Sequence, residues 1–220
     1  MWTPPEFCPD SPARIARLIR ENPFAVMTSM DDGVPLATHV PVIRRPGPDG
    51  PPADEVPVDG SILYGHMARA NLHWHSLIRS PSALVVFSGP NGYVSPTTYG
   101  VTPAAPTWNY AAVHVTGRVR VIDDAAATLE VIRATVAALE RGREPEWDLG
   151  PSLGYARRIL SGVVAFEIDV LEVRATFKLS QDKPAELRQR VIAEFAASGR
   201  GSEAELAALM ADVAAASLPH

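Results

Sequence analysis

The chain has 220 residues and a formal charge of −5, with 20 basic and 25 acidic side chains. This length suffices for one well-buried domain with or without a helical appendage, and the acidic balance argues against the cationic surface that non-specific nucleic-acid binding needs. Cys8 is the single cysteine, so an internal disulfide is excluded, no Cys/His cluster has zinc spacing, and a reducing cytoplasm is the expected compartment.

The first sixty residues predict a helix, a β-hairpin and a loop. Ser11 and Pro12 are typical of a helix start, and Pro23 ends the helical spacing that follows. An Asp-Asp-Gly turn supplies positive φ between two β-prone runs. The expected strands are 24–30 and 34–43, and a loop rich in Pro, Gly, Asp and Glu covers 45–60.

The middle of the chain is mostly β-prone. Val113 and Val115 alternate with His114 and Arg118, which indicates a long strand with one buried face, bent at Gly117. The expected strands are 61–65, 83–87, 92–94 and 108–122, with a short helix at 69–78, a Gly-Pro-Asn-Gly turn at 89–92 and a polar loop at 96–106.

The last third combines helices with two strands. Asp123 or Asp124 caps a helix that reaches Leu139. Two segments rich in Ala, Leu and Glu are separated by a Ser-Gly-Arg-Gly turn and predict a helical hairpin. The remaining expected segments are a breaker-rich connection at 141–151, strands at 163–168 and 173–179, and the hairpin helices at 184–197 and 202–216.

Short antiparallel strands at close spacing favour an α+β fold that is mainly antiparallel β, a barrel or a sandwich, over a doubly wound sheet. No glycine-rich dinucleotide fingerprint follows a strand, which argues against a Rossmann domain. We expect a domain over residues 1–183 and a C-terminal helical extension over 184–220, packed on the same domain. No apolar run approaches the roughly 20 residues that span a bilayer, so neither export nor membrane insertion is expected.

A first group of polar residues follows a strand, in the stretch Gly65–Asn71. Arg69 is expected at a helix start, where unpaired backbone N–H groups and the helix dipole favour an anion such as a phosphate. His66 or Asn71 could donate further hydrogen bonds. The alternative is a solvated surface arginine and a histidine whose ring packs against the core.

Two further motifs could contact a planar heterocycle. Trp108, Asn109 and Tyr110 combine two aromatic faces with an amide, although aromatic residues at the beginning of a strand are also ordinary core anchors. A polar cluster at a later strand end could contact a ring carbonyl or a phosphate, or could need no ligand. This cluster comprises Lys178, Ser180 and Gln181.

The sequence assigns no catalytic residue and no metal site. It has no Gly-x-Ser-x-Gly elbow, and nothing activates Cys8, so hydrolase chemistry finds no support. His73 and His75 diverge on a helix and cannot chelate one ion. The only candidate proton donors are His39, His66 and Tyr99.

Several ordered motifs together resemble the PaiB family of FMN-binding negative transcriptional regulators, within the wider pyridoxamine phosphate oxidase-like flavin split barrels. The similar stretches are 1–5, 35–41, 65–71, 92–96, 106–110 and 178–181, continuing into a helix at 184–192. The resemblance implies a six-stranded Greek-key split β-barrel with flanking helices and a C-terminal helical hairpin. It also implies FMN as the cofactor and a homodimer that binds FMN in a groove between its subunits.

The resemblance further implies which residues bind the cofactor. Those along the isoalloxazine ring would be Ala37, Thr38 and His39. The phosphate end would be held by His66, Ala68, Arg69 and Asn71. The groove would be completed, in part from the second subunit, by Ser95, Trp108, Asn109, Tyr110, Lys178, Ser180 and Gln181.

Two places depart from the family pattern. Thr97 and Thr98 stand where related sequences have an aromatic residue, and Asp182 with Lys183 stands where they have Asn-Arg. Asp182 introduces a negative charge close to the region where a phosphate or a reduced flavin is expected.

The favoured function is a homodimeric flavoprotein, either a flavin-dependent oxidoreductase or a flavin-linked regulator, that acts on a small molecule. One alternative is a negative transcriptional regulator that acts through a partner or a metabolite, because the chain has no basic stripe for direct DNA binding. Another is a non-catalytic dimeric scaffold. Contacts with nucleic acid or a membrane are not expected.

Overall fold

The computed structural model describes residues 1–216 of the chain. The chain forms two compact units. The main unit comprises residues 11–87 and 113–174, and the terminal unit comprises residues 1–10, 88–112 and the chain from 175 onward. The expected division at residue 183 stays a prediction, and both C-terminal helices lie in the terminal unit.

Six strands and seven α-helices occur within residues 1–216. The strands are β1 (Phe24–Asp31), β2 (Val34–Arg44), β3 (Ile62–Ala68), β4 (Ser82–Val94), β5 (Thr107–Ile122) and β6 (Val163–Lys178). The helices are α1 (Pro12–Glu21), α2 (His73–Arg79), α3 (Pro96–Tyr99), α4 (Ala125–Glu140), α5 (Leu153–Ile159), α6 (Ala185–Ser198) and α7 (Glu203–Ala216).

The strands close into a ring in the order β1-β2-β3-β6-β5-β4. Antiparallel pairing joins β1 to β2 and β4, and β3 to β2 and β6. The last three strands each contribute residues to both units. The predicted fold, an α+β split barrel that is mainly antiparallel β, is confirmed.

Local sequence signals account for the first elements and for α4. Ser11 occupies the N-cap position of α1 without a side-chain hydrogen bond, Pro12 is the first residue of the helix, and the β1–β2 turn places Asp32 and Gly33 at φ values of 47° and 81°. The Asp124 carboxylate accepts the main-chain N–H of Ala127, in the first turn of α4, at 2.8 Å. These boundaries lie within a residue or two of the predicted ones.

Two close approaches need glycine inside the main unit. A Cβ on Gly65 would lie 2.4 Å from the ring of Phe166, and a Cβ on Gly117 would lie 2.4 Å from Cγ2 of Ile168. Real side chains do not pack at such distances, so both positions bring strands together more closely than any larger residue permits. Phe166 and Ile168 are fully buried and form part of the core.

Two predicted interruptions of the sheet are wrong. β4 runs through the Gly-Pro-Asn-Gly stretch without a turn, since the main-chain N–H of Asn91 bonds the Ser202 hydroxyl at 3.0 Å and Gly92 packs against Phe195. β6 is likewise one strand of 16 residues rather than two. α5, which follows the breaker-rich connection at 141–151, was not predicted from the sequence.

No helix within the described part of the chain is both long and apolar enough to cross a membrane.

Candidate functional site

One edge of β2 carries main-chain groups that have no strand partner. β2 pairs with β1 up to Pro41, whereas its pairing with β3 begins only at Val42. The Val42 N–H is donated toward β1, to the carbonyl of Pro23 at 2.8 Å, and successive residues of a strand direct their main-chain groups to opposite sides. The N–H and C=O groups of Ala37 and His39 therefore point away from β1, and no strand among residues 1–216 pairs with them.

The side chains at this edge divide between two faces. Ala37 and His39 are exposed, whereas Thr38 is half-buried and faces the opposite way. The Thr38 hydroxyl lies 2.8 Å from Nδ1 of His73 and accepts a hydrogen bond from the Asn71 amide at 3.2 Å. The structure thus brings two predicted residues, Thr38 and Asn71, into contact through their side chains.

Arg69 does not stand at a helix N-terminus, contrary to the prediction. α2 begins only at His73, because the side-chain carbonyl of Asn71 accepts the His73 N–H at 3.1 Å and closes a turn before the helix. The Arg69 guanidinium donates to the carbonyls of Ser161 and Val163, at 2.9 and 3.2 Å. The helix-dipole argument for a phosphate fails here, but a pre-oriented guanidinium with unused N–H groups remains.

Arg69 lines a pocket of about 410 Å³ within the main unit. The charged side chains of its lining are Arg69, Arg118, Arg120, Asp123 and Asp169. Asp123 lies 3.6 Å from Nη2 of Arg69, and Arg120 pairs with Glu167. Arg118 has no ion pair among the described residues, so its guanidinium remains available to an anion, although the Asp169 carboxylate of the same lining balances its charge.

The other predicted residues of this stretch lie on or beside β3. Ala68 is exposed, whereas His66 is half-buried, and burial lowers the pKa of the His66 imidazole. The buried Nδ1 of His66 has no hydrogen-bond partner among residues 1–216. Trp74 supports Arg69: its indole N–H donates to the Arg69 carbonyl at 3.0 Å, and its ring centroid lies 5.7 Å from the guanidinium carbon.

The two remaining motifs meet inside the terminal unit. The fully buried amide of Asn109 donates to the Ser180 hydroxyl at 2.9 Å. The Lys178 ammonium donates to the Thr107 hydroxyl and, at 2.9 Å, to the carbonyl of Trp108. Burial lowers the pKa of Lys178, since desolvation disfavours the charged form.

Asn109, Lys178 and Ser180 line a pocket of about 570 Å³ in the terminal unit. Tyr99 also lines it, and the buried Tyr99 hydroxyl has no hydrogen-bond partner among the described residues. The exposed indole of Trp2 also lines it, so the pocket combines aromatic surface with a cation. Such a lining suits a planar ligand with polar substituents.

Three further predicted cofactor-binding residues, Ser95, Tyr110 and Gln181, lie in the terminal unit outside the lining of this pocket. The Ser95 hydroxyl caps α3 and accepts a main-chain N–H of that helix at 3.3 Å. The Gln181 amide is used at both ends by main chain, since it donates to the Phe177 carbonyl and accepts the Leu179 N–H at 2.6 Å. Tyr110 is half-buried on β5.

Asp182 and Lys183, which follow the cluster of Lys178, Ser180 and Gln181, form an ion pair with each other. The Lys183 ammonium lies 2.6 Å from the Asp182 carboxylate, and this hydrogen bond raises the pKa of Lys183. The negative charge at position 182 therefore adds little net field of its own.

Sequence reasoning missed two sets of residues. Arg118 and Arg120 share the polar face of a predicted strand with His114, and that alternation was the available signal. His73, considered only as a metal ligand, is 4% exposed and hydrogen-bonded at both ring nitrogens. No group of three or more metal-ligating side chains occurs within the described residues.

Residues 1–172 match the family described as "Putative FMN-binding domain". Among curated proteins, the chain is 29% identical to "Protease synthase and sporulation protein PAI 2" of Bacillus subtilis, across 96% of this chain and 97% of that protein. The alignment therefore extends beyond the family match, into the C-terminal helices.

Two solved structures share the fold. The FAD and heme binding protein of Mycobacterium smegmatis has a TM-score of 0.57 at 17% identity, covering 82% of this chain and 78% of that one. A conserved hypothetical protein of Mycobacterium tuberculosis also has a TM-score of 0.57, at 11% identity, covering 84% of this chain and 94% of that one. At these identities the likeness concerns the fold alone.

Proposed function

We infer the function of this chain from its family, since it belongs to the FMN-binding domain family that matches residues 1–172. The cofactor predicted from the sequence, FMN, is confirmed by this membership. We propose that the protein is a flavoprotein which exchanges electrons or hydride with a small molecule. The observation that carries this proposal is the open edge of β2 at Ala37 and His39.

The open edge fits the rim of a flavin ring. A flavin ring system carries carbonyl acceptors and an imide N–H, and the main-chain groups of Ala37 and His39 offer both donors and acceptors on one side of β2. A strand edge holds such groups at fixed spacing with no side-chain entropy to lose. We propose that this edge orients the ring, with the exposed His39 imidazole beside it.

The pocket at Arg69 fits the phosphate. The contacts of Arg69 with the carbonyls of Ser161 and Val163 fix the guanidinium while its Nη1 group makes no hydrogen bond among the described residues. Arg118 adds a second cation to the same lining. Two guanidinium groups around one pocket are a suitable phosphate-binding arrangement.

FMN, when bound, supplies reversible one- or two-electron transfer, and this chemistry belongs to the cofactor. The residues of the chain bind and orient it. His39 is exposed at the open edge and could hold or move a proton there, whereas the half-buried His66 is kept neutral, because burial lowers its pKa.

We further propose that the protein is a homodimer. The outer face of the β1–β2 hairpin exposes Phe24 and Met30 at 69% and 51%, and the Phe24 ring lies 5.7 Å from that of His39. An apolar patch of this kind next to a binding edge is typical of a protein–protein contact. Sedimentation analysis of the wild type and of Phe24→Asp tests this proposal: the wild type should sediment as a dimer and the variant as a monomer.

The experiment that tests flavin binding compares FMN with riboflavin, which lacks the phosphate. Each is titrated into flavin-free protein and binding is followed by quenching of flavin fluorescence. The wild type should bind FMN with micromolar or tighter affinity. Arg69→Ala should weaken FMN binding by roughly 10- to 100-fold, since a charge-assisted hydrogen bond is worth about 1.5–3 kcal/mol, and should leave riboflavin binding unchanged.

Arg17→Ala is the matched control. Arg17 is an exposed arginine of α1 whose side chain pairs with Glu21 at 2.8 Å, so its loss should change neither affinity. Failure of the wild type to bind either flavin would reject the proposal. An equal loss of FMN and riboflavin affinity in Arg69→Ala would reject the assignment of Arg69 to the phosphate.

Regulation of gene expression is a second candidate, carried over from the resemblance of the sequence motifs to the PaiB family; the Bacillus subtilis relative that matches 96% of the chain is itself named for protease synthesis and sporulation. The net charge of −5 gives no electrostatic term for operator binding, so we propose that any regulation acts through a metabolite or a protein partner. A salt-sensitive, sequence-specific gel shift by the purified protein would contradict this.

A further inference from the structure

A chain of buried and half-buried hydroxyl, amide and imidazole groups lies behind the open edge of β2. We call it the His73 network; its members are Ser29, Thr38, Asn71, His73 and Ser76. His73, Ser76 and Ser29 are only 4%, 1% and 6% exposed. The network joins β1, β2 and α2 within the main unit, and the proposed function makes no use of the titratable group at its centre.

The contacts of the network run in one line. Ser76 donates its hydroxyl proton to the His73 carbonyl at 2.7 Å, and its oxygen lies 3.2 Å from that of Ser29. The Ser29 oxygen is 2.8 Å from Nε2 of His73, and the Thr38 oxygen is 2.8 Å from Nδ1. Asn71 donates to Thr38 at 3.2 Å.

The positions of the protons follow by counting, because each hydroxyl group has only one to donate. The Ser76 proton is used on the His73 carbonyl, so the Ser29–Ser76 contact must carry the Ser29 proton. The Ser29 oxygen then accepts from Nε2 of His73, which places the ring proton on Nε2. Nδ1 is left as an acceptor, and the Thr38 hydroxyl donates to it.

This order decides what Thr38 can offer to anything beside it. The Thr38 hydroxyl donates its proton to His73 and accepts a hydrogen bond from Asn71 on one of its two lone pairs. One lone pair therefore remains to accept a further hydrogen bond. A second proton on the imidazole reverses the arrangement: Nδ1–H then donates to Thr38, both lone pairs are taken, and the Thr38 proton is released to point outward.

We propose that His73 is a positioning residue whose tautomer makes the Thr38 hydroxyl an acceptor toward an N–H group of the bound cofactor, and whose protonation turns Thr38 into a donor. The proposal rests on the proposed function for the placement of the cofactor along residues 37–39. It makes α2, which carries His73 and Ser76, part of the cofactor site without any direct contact.

The electrostatic surroundings favour the neutral ring. Burial lowers the pKa of His73, and the charge of Asp31 at the end of β1 opposes this in part. Asp31 is itself paired with Arg79 of α2, which weakens its field at the imidazole. β2 presents the uncharged Thr38 to the ring. At neutral pH the acceptor state of Thr38 therefore prevails.

The tautomer can be measured directly on the full-length protein without flavin, by NMR of ¹⁵N-labelled histidine with His73→Gln to assign the signals. The wild type should show His73 protonated at Nε2 only. Ser76→Ala should move the proton to Nδ1, because Ser29 then loses its acceptor and donates to Nε2 instead. Ser80→Ala, an exposed serine just after the same helix, is the matched control and should leave the tautomer unchanged.

The second measurement is FMN affinity. With the flipped tautomer, the Thr38 hydroxyl directs its proton toward the N–H group of the cofactor, so two donors face each other and one hydrogen bond is lost. Ser76→Ala should therefore weaken FMN binding roughly tenfold or more. Ser80→Ala should leave FMN affinity unchanged. A wild-type ring protonated at Nδ1, or no change of tautomer in Ser76→Ala, would overturn the proton order. A flipped tautomer with unchanged FMN affinity would overturn the role of Thr38. If the wild type binds no flavin, the proposed function is contradicted instead. The NMR measurement still decides the proton order in that case, because it is made without flavin.

Discussion

The buried amide of Asn109 and the hydroxyl of Ser180 exchange hydrogen bonds within the terminal unit, with Asn109 donating at 2.9 Å and Ser180 donating at 3.3 Å. Ser180 has a φ of 62°, a left-handed conformation that few residues other than glycine adopt. The strained backbone places the hydroxyl where the fully buried amide needs it, so the two sequence motifs are joined by a bond between their polar residues.

Substitutions at Ser180 should separate the hydrogen bond from the backbone strain. Ser180→Ala and Ser180→Gly both lose the hydroxyl and leave part of the Asn109 amide unsatisfied, at a cost of about 1–3 kcal/mol. Glycine relieves the positive φ, which is worth about 1 kcal/mol. In urea unfolding we expect the stability order wild type, Ser180→Gly, Ser180→Ala, and an alanine variant as stable as the glycine variant would contradict the strain.

A proline scan of β2 should distinguish its two edges. Ala37→Pro removes an outward N–H that has no strand partner, so the fold should be retained while both FMN and riboflavin bind more weakly. Leu36→Pro removes an N–H that faces β1, so it should lower the urea midpoint by disrupting the ladder. Unchanged flavin affinity in a folded Ala37→Pro variant would show that the outward N–H does not contact the ring.

Gly117→Ala should destabilise the main unit. The added methyl would lie 2.4 Å from Ile168 and 2.7 Å from the carbonyl oxygen of Asp169, which belongs to the backbone and cannot rotate away. We expect a loss of about 1–3 kcal/mol in the free energy of unfolding. Gly154→Ala is the control, because no atom lies within 4 Å of its new methyl, and its stability should be equal or up to about 1 kcal/mol greater.

Stability should fall as the pH drops below the ordinary histidine pKa of 6.5. Burial lowers the pKa of His66 and of His73, so in the window between the folded value and 6.5 the unfolded chain binds more protons than the folded one. The stabilisation is complete above pH 6.5 and decreases below it, by about 1.4 kcal/mol for each unit of pKa difference.

The measurement is urea unfolding at a series of pH values between about 5 and 7, for the wild type and for His66→Leu. The variant has one titrating group fewer, so its stability should depend less steeply on pH. Identical pH dependence in the two proteins would show that His66 is not buried as described.

The sequence predicted those elements whose signals are local. The helix start at Pro12, the turn at Asp32–Gly33 and the alternation along β5 each act through near neighbours, and each predicted boundary is close to the observed one. The start of α2 was predicted too early, because a side-chain turn at Asn71 delays the helix, and composition does not show such a turn.

The site was predictable only where a motif is contiguous. The contact between Asn109 and Ser180 joins two recognised motifs, but nothing in either motif shows that they bond each other across 71 positions. The His73 network was missed for the same reason, since Ser29 lies 44 positions from His73. Pairing of distant polar residues is decided by strand register and by where a helix packs, which single-sequence patterns do not contain.

The placement of prolines on β2 limits what else can attach to it. An unpaired strand edge is a template on which another chain can extend the sheet, and proteins restrict such edges to avoid aggregation. Pro35 and Pro41 occupy outward-facing positions on either side of Ala37 and His39 and have no N–H to donate. A foreign strand would find only two outward donors between them, too few for a stable ladder, so the edge stays open to a small molecule and closed to fibre growth.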